Sequence, residues 1–323
     1  MNIDLLYNNL TNPTLLFFIL GVVATLLKSD LEVPSNTSKF LSIYLLFSIG
    51  FRGGQELSHG GNITDIFSTL FLALLFSVLT PIVAFFLLKK RFGIYNAAAV
   101  AATYGSVSAV TFITASGFLE SEGAHYGGHM VAAMALMEAP AIMIGLFLVR
   151  RFAEEDEAHP KHSLWYVARE ALTNGSVLMV LGSLIIGMLT SSKQAAGIKP
   201  FTSDIFQGFL AVFLLDMGMV AAQRFKTFRH YGRTATLFAL LLPMLNGLIC
   251  ILITSLMSMN PADRLMLTVL AASASYIAVP AAMRFTIPQA DPGLYIPMAL
   301  GVTFPFNITI GIPLYWSIIQ YTG

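Results

Sequence analysis

Two short polar runs interrupt otherwise apolar stretches, and most of the chemistry open to this chain lies in them. The first is Thr103-Tyr104-Gly105-Ser106-Val107-Ser108, which follows the alanine-rich stretch Ala97–Ala102. The second is Ser273-Ala274-Ser275-Tyr276, which follows Leu265–Ala272 and precedes Pro280. Glycine, serine and proline weaken a helix's hydrogen-bond ladder at one depth. Inside a membrane, irregular backbone is tolerated only against protein or a wet cavity. The expectation is two half-helices whose N-termini face each other. The exposed N–H groups and positive dipole ends near Ser106–Ser108 and Ser275–Ile277 would hold an anion without a buried cation. The competing reading is close packing of small residues, which is ordinary in membranes.

Two acids lie within apolar stretches. Glu138, in Met134-Ala135-Leu136-Met137-Glu138-Ala139-Pro140, is a functional candidate because an acid at that depth is costly. It could supply oxygen to Na⁺, carry a proton, or hydrogen-bond a break in a neighbouring helix. Asp216 is open to the same alternatives. His125 and His129 are four residues apart, but no third ligand lies near, so an interfacial polar pair is expected. Arg52, in Gly50-Phe51-Arg52-Gly53-Gly54, either lines an outer vestibule or snorkels. For Arg284, anchoring at the inner face suffices. An intramembrane serine enzyme would need a base beside Ser106 or Ser108. No G-x-S-x-G motif occurs and no histidine is expected inside a span, so the chain reads as a non-enzyme with no organic cofactor.

The elements that carry these residues follow from composition. The chain has 323 residues, of which 56% are hydrophobic and only 11% charged, with a mean hydropathy of +0.74. An ordinary soluble domain carries about 25% charge, so the lipid bilayer is the solvent for most of this one. A net charge of +1 offers no phosphate-neutralising surface, so nucleic acid is not a partner. The single cysteine, Cys250, sits in the apolar run Leu245–Leu256 and reads as a small core residue. No cleavable leader is expected, because the run from Pro13 to Leu27 ends in Lys28-Ser29-Asp30.

Ten segments can serve as spans. They are Pro13–Leu27, Lys39–Gln55, Phe67–Leu88, Tyr95–Leu119, Gly128–Val149, Gly175–Leu189, Ile205–Arg224, Ala235–Met257, Ala262–Phe285 and Leu294–Ile319. With the N-terminus outside, 14 of the 18 Lys and Arg fall on inner connections, leaving Arg52, Lys193, Lys199 and Arg264 outside. The positive-inside rule therefore puts both termini on the non-cytoplasmic side. No Lys or Arg is expected in the interior.

A polar linker, residues 153–164, separates residues 1–152 from residues 165–323. The halves align: Leu46/Leu214, Gly50/Gly218 and Gln55/Gln223 are all 168 apart, and Val100/Val269, Ser106/Ser275 and Val110/Val279 are all 169 apart. Ile142/Ile308 and Gly145/Gly311 are 166 apart. Five spans per half is an odd number, so the halves are inverted, a construction typical of secondary transporters. The fold class is thus an all-α integral membrane protein, with ten transmembrane helices in a five-plus-five inverted repeat and helices 4 and 9 broken. The repeat counterpart of the Glu138 region is Thr303-Phe304-Pro305-Phe306-Asn307, which holds no acid, so any acidic ligand set is asymmetric.

The segments IGFRGG (49–54), TYGSVSAVTFITASGFLES (103–121), ALMEAPAIM (135–143), ASASYIAVPAAMR (272–284), IPQADPGLYI (287–296) and IGIPL (310–314) resemble, nearly end to end, the SbtA-type sodium-dependent bicarbonate transporters of cyanobacteria and their wider bacterial family. The resemblance implies import of bicarbonate driven by Na⁺ across the plasma membrane, with a core and a gate domain, a homotrimer, and a PII-like regulator at the linker. It implies an anion site at Gly105, Ser106, Val107, Ser108, Ala274, Ser275, Tyr276 and Ile277. The Na⁺ ligands expected beside it are Glu138, Thr103, Ser273 and Asn307. The chain departs from the cyanobacterial pattern where an aspartate and then Ser-Gly-Pro-Pro would follow the second serine run. Here Tyr276 and Ile277-Ala278-Val279-Pro280 stand instead. One cation ligand is lost, which leaves open a small organic anion such as a monocarboxylate as cargo.

Overall fold

A computed structural model describes residues 11–58, 63–153, 165, 169, 173, 175–228 and 232–322. The linker beyond Ala153 and the side chain of Arg284 lie outside what is described. Among the described residues all regular structure is helical.

Helix α1 (Pro13–Leu26) starts where Asn12 accepts from the Thr14 N–H and Pro13 occupies the first turn, the two signals that open a helix. Helix α2 is Ser35–Ser58, and α3 runs Ile63–Gly105. Within α3, Gly93 adopts φ 77°, a conformation only glycine enters cheaply, and it divides one apolar rod into two pieces at a kink. Then come α4 (Ala109–Ser121), α5 (His129–Leu136), α6 (Glu138–Phe152), α7 (Gly175–Leu189) and the short α8 (Ser192–Ala196). A π-turn, π1 (Pro200–Asp204), leads into α9 (Phe206–Phe228), and α10 (Gly232–Ser255) follows. Next are α11 (Pro261–Ala271) and α12 (Ala278–Thr286). The last stretch is α13 (Pro292–Pro297), π2 (Met298–Thr303), α14 (Phe304–Phe306), π3 (Asn307–Gly311) and α15 (Ile312–Thr322).

Among the described residues, five helical stretches are long and apolar enough to cross a membrane: Ile63–Ser121, His129–Phe152, Pro200–Arg224, Gly232–Ser255 and Pro292–Thr322. Pro13–Leu26 and Gly175–Leu189 are apolar but shorter. Large apolar side chains stand exposed along them, among them Phe67, Phe71, Leu87, Leu178, Leu189 and Leu252. In water such a surface would aggregate; in lipid it is the solvated face. The protein is membrane-embedded.

Two features depart from a regular rod. The span expected over Gly128–Val149 is interrupted at Met137, which places Glu138 in the first turn of α6. The span expected over Leu294–Ile319 winds through two π segments, and Thr303 and Asn307 sit at their inner edges. Prolines 297, 305 and 313 remove helix donors along this run, which loosens the ladder where the wider turns form.

Four helices form two close crossings. Helix α1 packs along α9, and α2 along α7. A Cβ on Gly218 would collide with the Phe18 carbonyl, and one on Gly21 with the Leu215 carbonyl. At the other crossing, a Cβ on Gly50 would stand 2.7 Å from the Val180 carbonyl oxygen. Glycine is required at both because backbone meets backbone. The remaining helices surround α3, α4, α11 and α12. Among these, α4 packs on α11 and α12 packs on α3.

Candidate functional site

The helical ladder stops at Gly105 and resumes at Ala109; it stops again at Ala271 and resumes at Ala278. The two gaps are stitched to each other. The Ser275 N–H donates to the Thr103 carbonyl at 2.8 Å, and the Ser108 N–H donates to Ser273 Oγ at 3.0 Å. Ser273 Oγ in turn donates to the Leu270 carbonyl at 3.0 Å. Every one of these residues is buried.

Ser108 caps α4, its Oγ accepting from the Thr111 N–H at 3.1 Å. Thr111 is thereby satisfied, but the N–H groups of Val107, Ala109 and Val110 find no acceptor among the described residues. The same holds for those of Tyr276 and Ile277. This moves the free donors from where sequence reasoning put them. Ser106, Ser108 and Ser275 spend their N–H groups on Ala102, Ser273 and Thr103, so the open donors lie in the adjoining residues.

These donors border a cavity of 20 Å³, room for about one water. Val107, Ser108, Ala109, Val110 and Ile113 line it from one break, Ser275, Tyr276 and Ile277 from the other. Glu138 joins them, half-buried and without a hydrogen bond among the described residues. Ser42, Leu46 and Ser176 complete the wall from α2 and α7. Sequence reasoning passed over these three, although Ser42 and Ser176 are hydroxyls near the starts of apolar helices. The Tyr276 ring packs on Phe304 at 5.6 Å, and its hydroxyl, near Ser108, completes no hydrogen bond.

Gly105 and Ala274 do not line this cavity. Gly105 is pressed on Pro81, where a Cβ would stand 2.5 Å from Pro81 Cδ. Ser106 faces away too, its Oγ buried and unpartnered. The Thr103, Ser273 and Asn307 side chains likewise lie outside the cavity that Glu138 lines. Asn307 Nδ2 donates to the Ala272 carbonyl at 2.8 Å and Asn246 Nδ2 to the Ala271 carbonyl at 3.2 Å. Two amides thus close the C-terminus of α11. Among the described residues, the side-chain oxygens buried without a partner include four close in sequence to the breaks or on π3: Thr103 Oγ1, Ser106 Oγ, Thr111 Oγ1 and Asn307 Oδ1. Buried unpaired oxygens are rare, and hydroxyl and amide oxygens are the donors that hard cations prefer.

The charged residues sort by depth. Arg52 and Glu120 meet at 3.5 Å, and Gln207 Nε2 donates to Glu120 Oε2 at 3.0 Å. Arg52 also lies over the Phe206 ring at 4.4 Å and lines a 400 Å³ vestibule. The histidine pair does not form. Instead His129 is buried, its Nε2 3.8 Å from Asp263 Oδ2, while His125 lines the vestibule. Arg264 is buried as well, against the expectation that no Lys or Arg lies in the interior, and donates to Thr322 Oγ1 at 2.8 Å. Both expectations failed for one reason: the ends of α5, α11 and α15 pack together, a tertiary contact that leaves no periodic trace. Asp216 is buried in α9, away from the cavity.

No curated protein matches the chain. A family model does, over residues 13–320, nearly the whole length, and it describes the Na⁺-dependent bicarbonate transporter superfamily. Unpaired backbone donors, unpaired hard oxygens and an acid gathered around two helix breaks are a fitting apparatus for an anion and a cation. The chain belongs to the Na⁺-dependent bicarbonate transporter superfamily, and is a transporter rather than an enzyme.

Proposed function

We propose that this protein imports bicarbonate together with Na⁺ across the bacterial plasma membrane, by alternating access around the two breaks. The observation that carries the reading is the set of unpaired N–H groups at Val107, Ala109, Val110, Tyr276 and Ile277, bordering one cavity with Glu138. An N-terminal helix turn supplies convergent donors and a positive dipole end, so the anion needs no lysine or arginine. Glu138 and the unpaired oxygens of Thr103, Ser106, Thr111 and Asn307 are the groups to which Na⁺ is assigned, with Ser273 held in reserve by its bonds to Leu270 and Ser108.

The architecture assigned to it is ten transmembrane helices in a five-plus-five inverted repeat, residues 1–152 against residues 165–323, with both termini outside. The reciprocal crossings support this. Helix α1 on α9 and α2 on α7 exchange under the repeat, and Gly218 and Gly50, one from each, are the aligned pair that permits them. These four helices are the gate, and the helices around the breaks are the core that moves against them. The homotrimer and a PII-like regulator at residues 153–164 belong to the same reading through the family resemblance.

Reconstitution in liposomes tests the assignment. Uptake of labelled bicarbonate should require an inward Na⁺ gradient and vanish when choline replaces Na⁺. Robust uptake without Na⁺, or none with it, would overturn the reading.

A further inference from the structure

The cavity at the breaks adjoins a much larger, half-open one. A 920 Å³ chamber shares Ser42, Leu46, Ser176, Tyr276 and Ile277 with it. Ser38 and Lys39, at the start of α2, line the chamber too. Elsewhere its wall is aliphatic, aromatic and thioether: Ile43, Met179, Phe213, Met217 and Leu300. Ile277 is 45% exposed although it stands inside the second break, beside buried Tyr276. Its side chain borders this space.

Bicarbonate is polar on every side and gains nothing from such walls. An anion with a hydrocarbon tail would use both halves of the site. The N–H groups of the breaks would take the carboxylate, and the tail would leave water along Ile277, Leu46, Met179 and Phe213. We propose that the site binds short straight-chain monocarboxylates, and binds them more tightly as the chain lengthens. This rests on the preceding assignment of the breaks as the anion site. Among the described residues Lys39 is the one cation lining the chamber, a poor match for a dicarboxylate. Burial of each methylene at the ordinary transfer value strengthens binding about fourfold.

The test uses the reconstituted full chain at pH 8. Formate, acetate, propionate, butyrate and valerate are titrated as inhibitors of Na⁺-driven labelled-bicarbonate uptake. The same acids are titrated in detergent as ligands in a Na⁺-against-choline thermal-shift assay. The half-inhibitory concentration should fall about fourfold per added carbon from acetate to valerate, and Met217→Asn and Phe213→Asn should flatten that slope. Potent uptake of bicarbonate with inhibition that is flat or falls with chain length would overturn the inference and leave the bicarbonate assignment standing. Failed bicarbonate uptake with graded, Na⁺-dependent thermal shifts would support the inference and remove bicarbonate as the cargo. Should the variants fail to fold, the wild-type series decides alone.

Discussion

The two breaks come from one repeated sequence element, yet they are finished differently. The first is three residues long, and Ser108 caps the helix that follows it. The second is six residues long, and Ile277, at the capping position, has no side-chain oxygen, so Ser275 Oγ accepts from the Val279 N–H instead, at a longer 3.4 Å. The carbonyls that open the second break are met from a distance. Asn246 of α10 and Asn307 of π3 donate to the Ala271 and Ala272 carbonyls. The acid stands on the cavity near the first break, while its repeat counterpart, Thr303–Asn307, is neutral. The backbone of each half follows one plan, and a few side chains divide the work. Donors come from both breaks, the negative charge from one half only, which suits a site for two ions of opposite sign.

The largest effect should come from cutting the stitch between the breaks. Ser275→Pro removes the N–H that serves the buried Thr103 carbonyl, at a cost of about 1–3 kcal/mol for the unpaired group. Ion uptake should be lost, and a lower melting temperature in detergent should accompany the loss. If uptake survives, the breaks do not act as one unit.

Glu138→Gln asks whether the negative charge belongs to the site. The apparent Na⁺ affinity should fall about tenfold, ~1.4 kcal/mol, read from uptake against Na⁺ concentration. An unchanged Na⁺ curve would make Glu138 structural. Asp216→Asn is the comparison, expected to move the curve less because Asp216 does not line the cavity.

Asn307→Ala should destabilise by roughly 1–3 kcal/mol, since it orphans the Ala272 carbonyl. The corresponding change on the first break should be milder. Ser108→Ala removes one cap, worth about 1 kcal/mol. Ser275→Ala removes the 3.4 Å acceptor of the Val279 N–H and should cost less still, about a few tenths of a kcal/mol. Melting temperatures of the three variants check the order. Equal losses for Asn307→Ala and Ser108→Ala would erase the distinction between a break finished locally and one finished from afar.

Much of this was legible before any coordinates. The apolar runs gave seven of the helical stretches that are long or apolar enough to matter, and Gly175–Leu189 matches the expected span to the residue. The breaks were readable because glycine and serine clusters are rare punctuation in such runs, and two at matching offsets reinforce one another. The Arg52 vestibule was an open alternative. The wrong turns share a cause. Arg264, His129 and the expected histidine pair all concern polar residues at helix ends, where burial depends on which other ends arrive there. Composition and spacing carry no information on that.

The interrupted helix at Met137 and the π turns around Thr303 and Asn307 were likewise invisible as such. The prolines were visible in the run, but not whether the chain would kink or widen to accommodate them. The choice is made by neighbours: Thr303 Oγ1 donates to the Ala239 carbonyl and bonds Tyr104, and Asn307 reaches Ala272.

By itself the sequence determined that the chain lives in lipid, that its two halves align at nearly constant offsets, and that small polar residues cluster where the helices break. Those properties are local or periodic: apolar length, a constant offset, a cluster of small polar residues. Only the tertiary structure decided which N–H groups stay unpaired, that Glu138 lines the same cavity as they do, and that an apolar chamber adjoins it. A donor is free only when every other segment has declined to accept from it. That condition is global, and no stretch of sequence contains it.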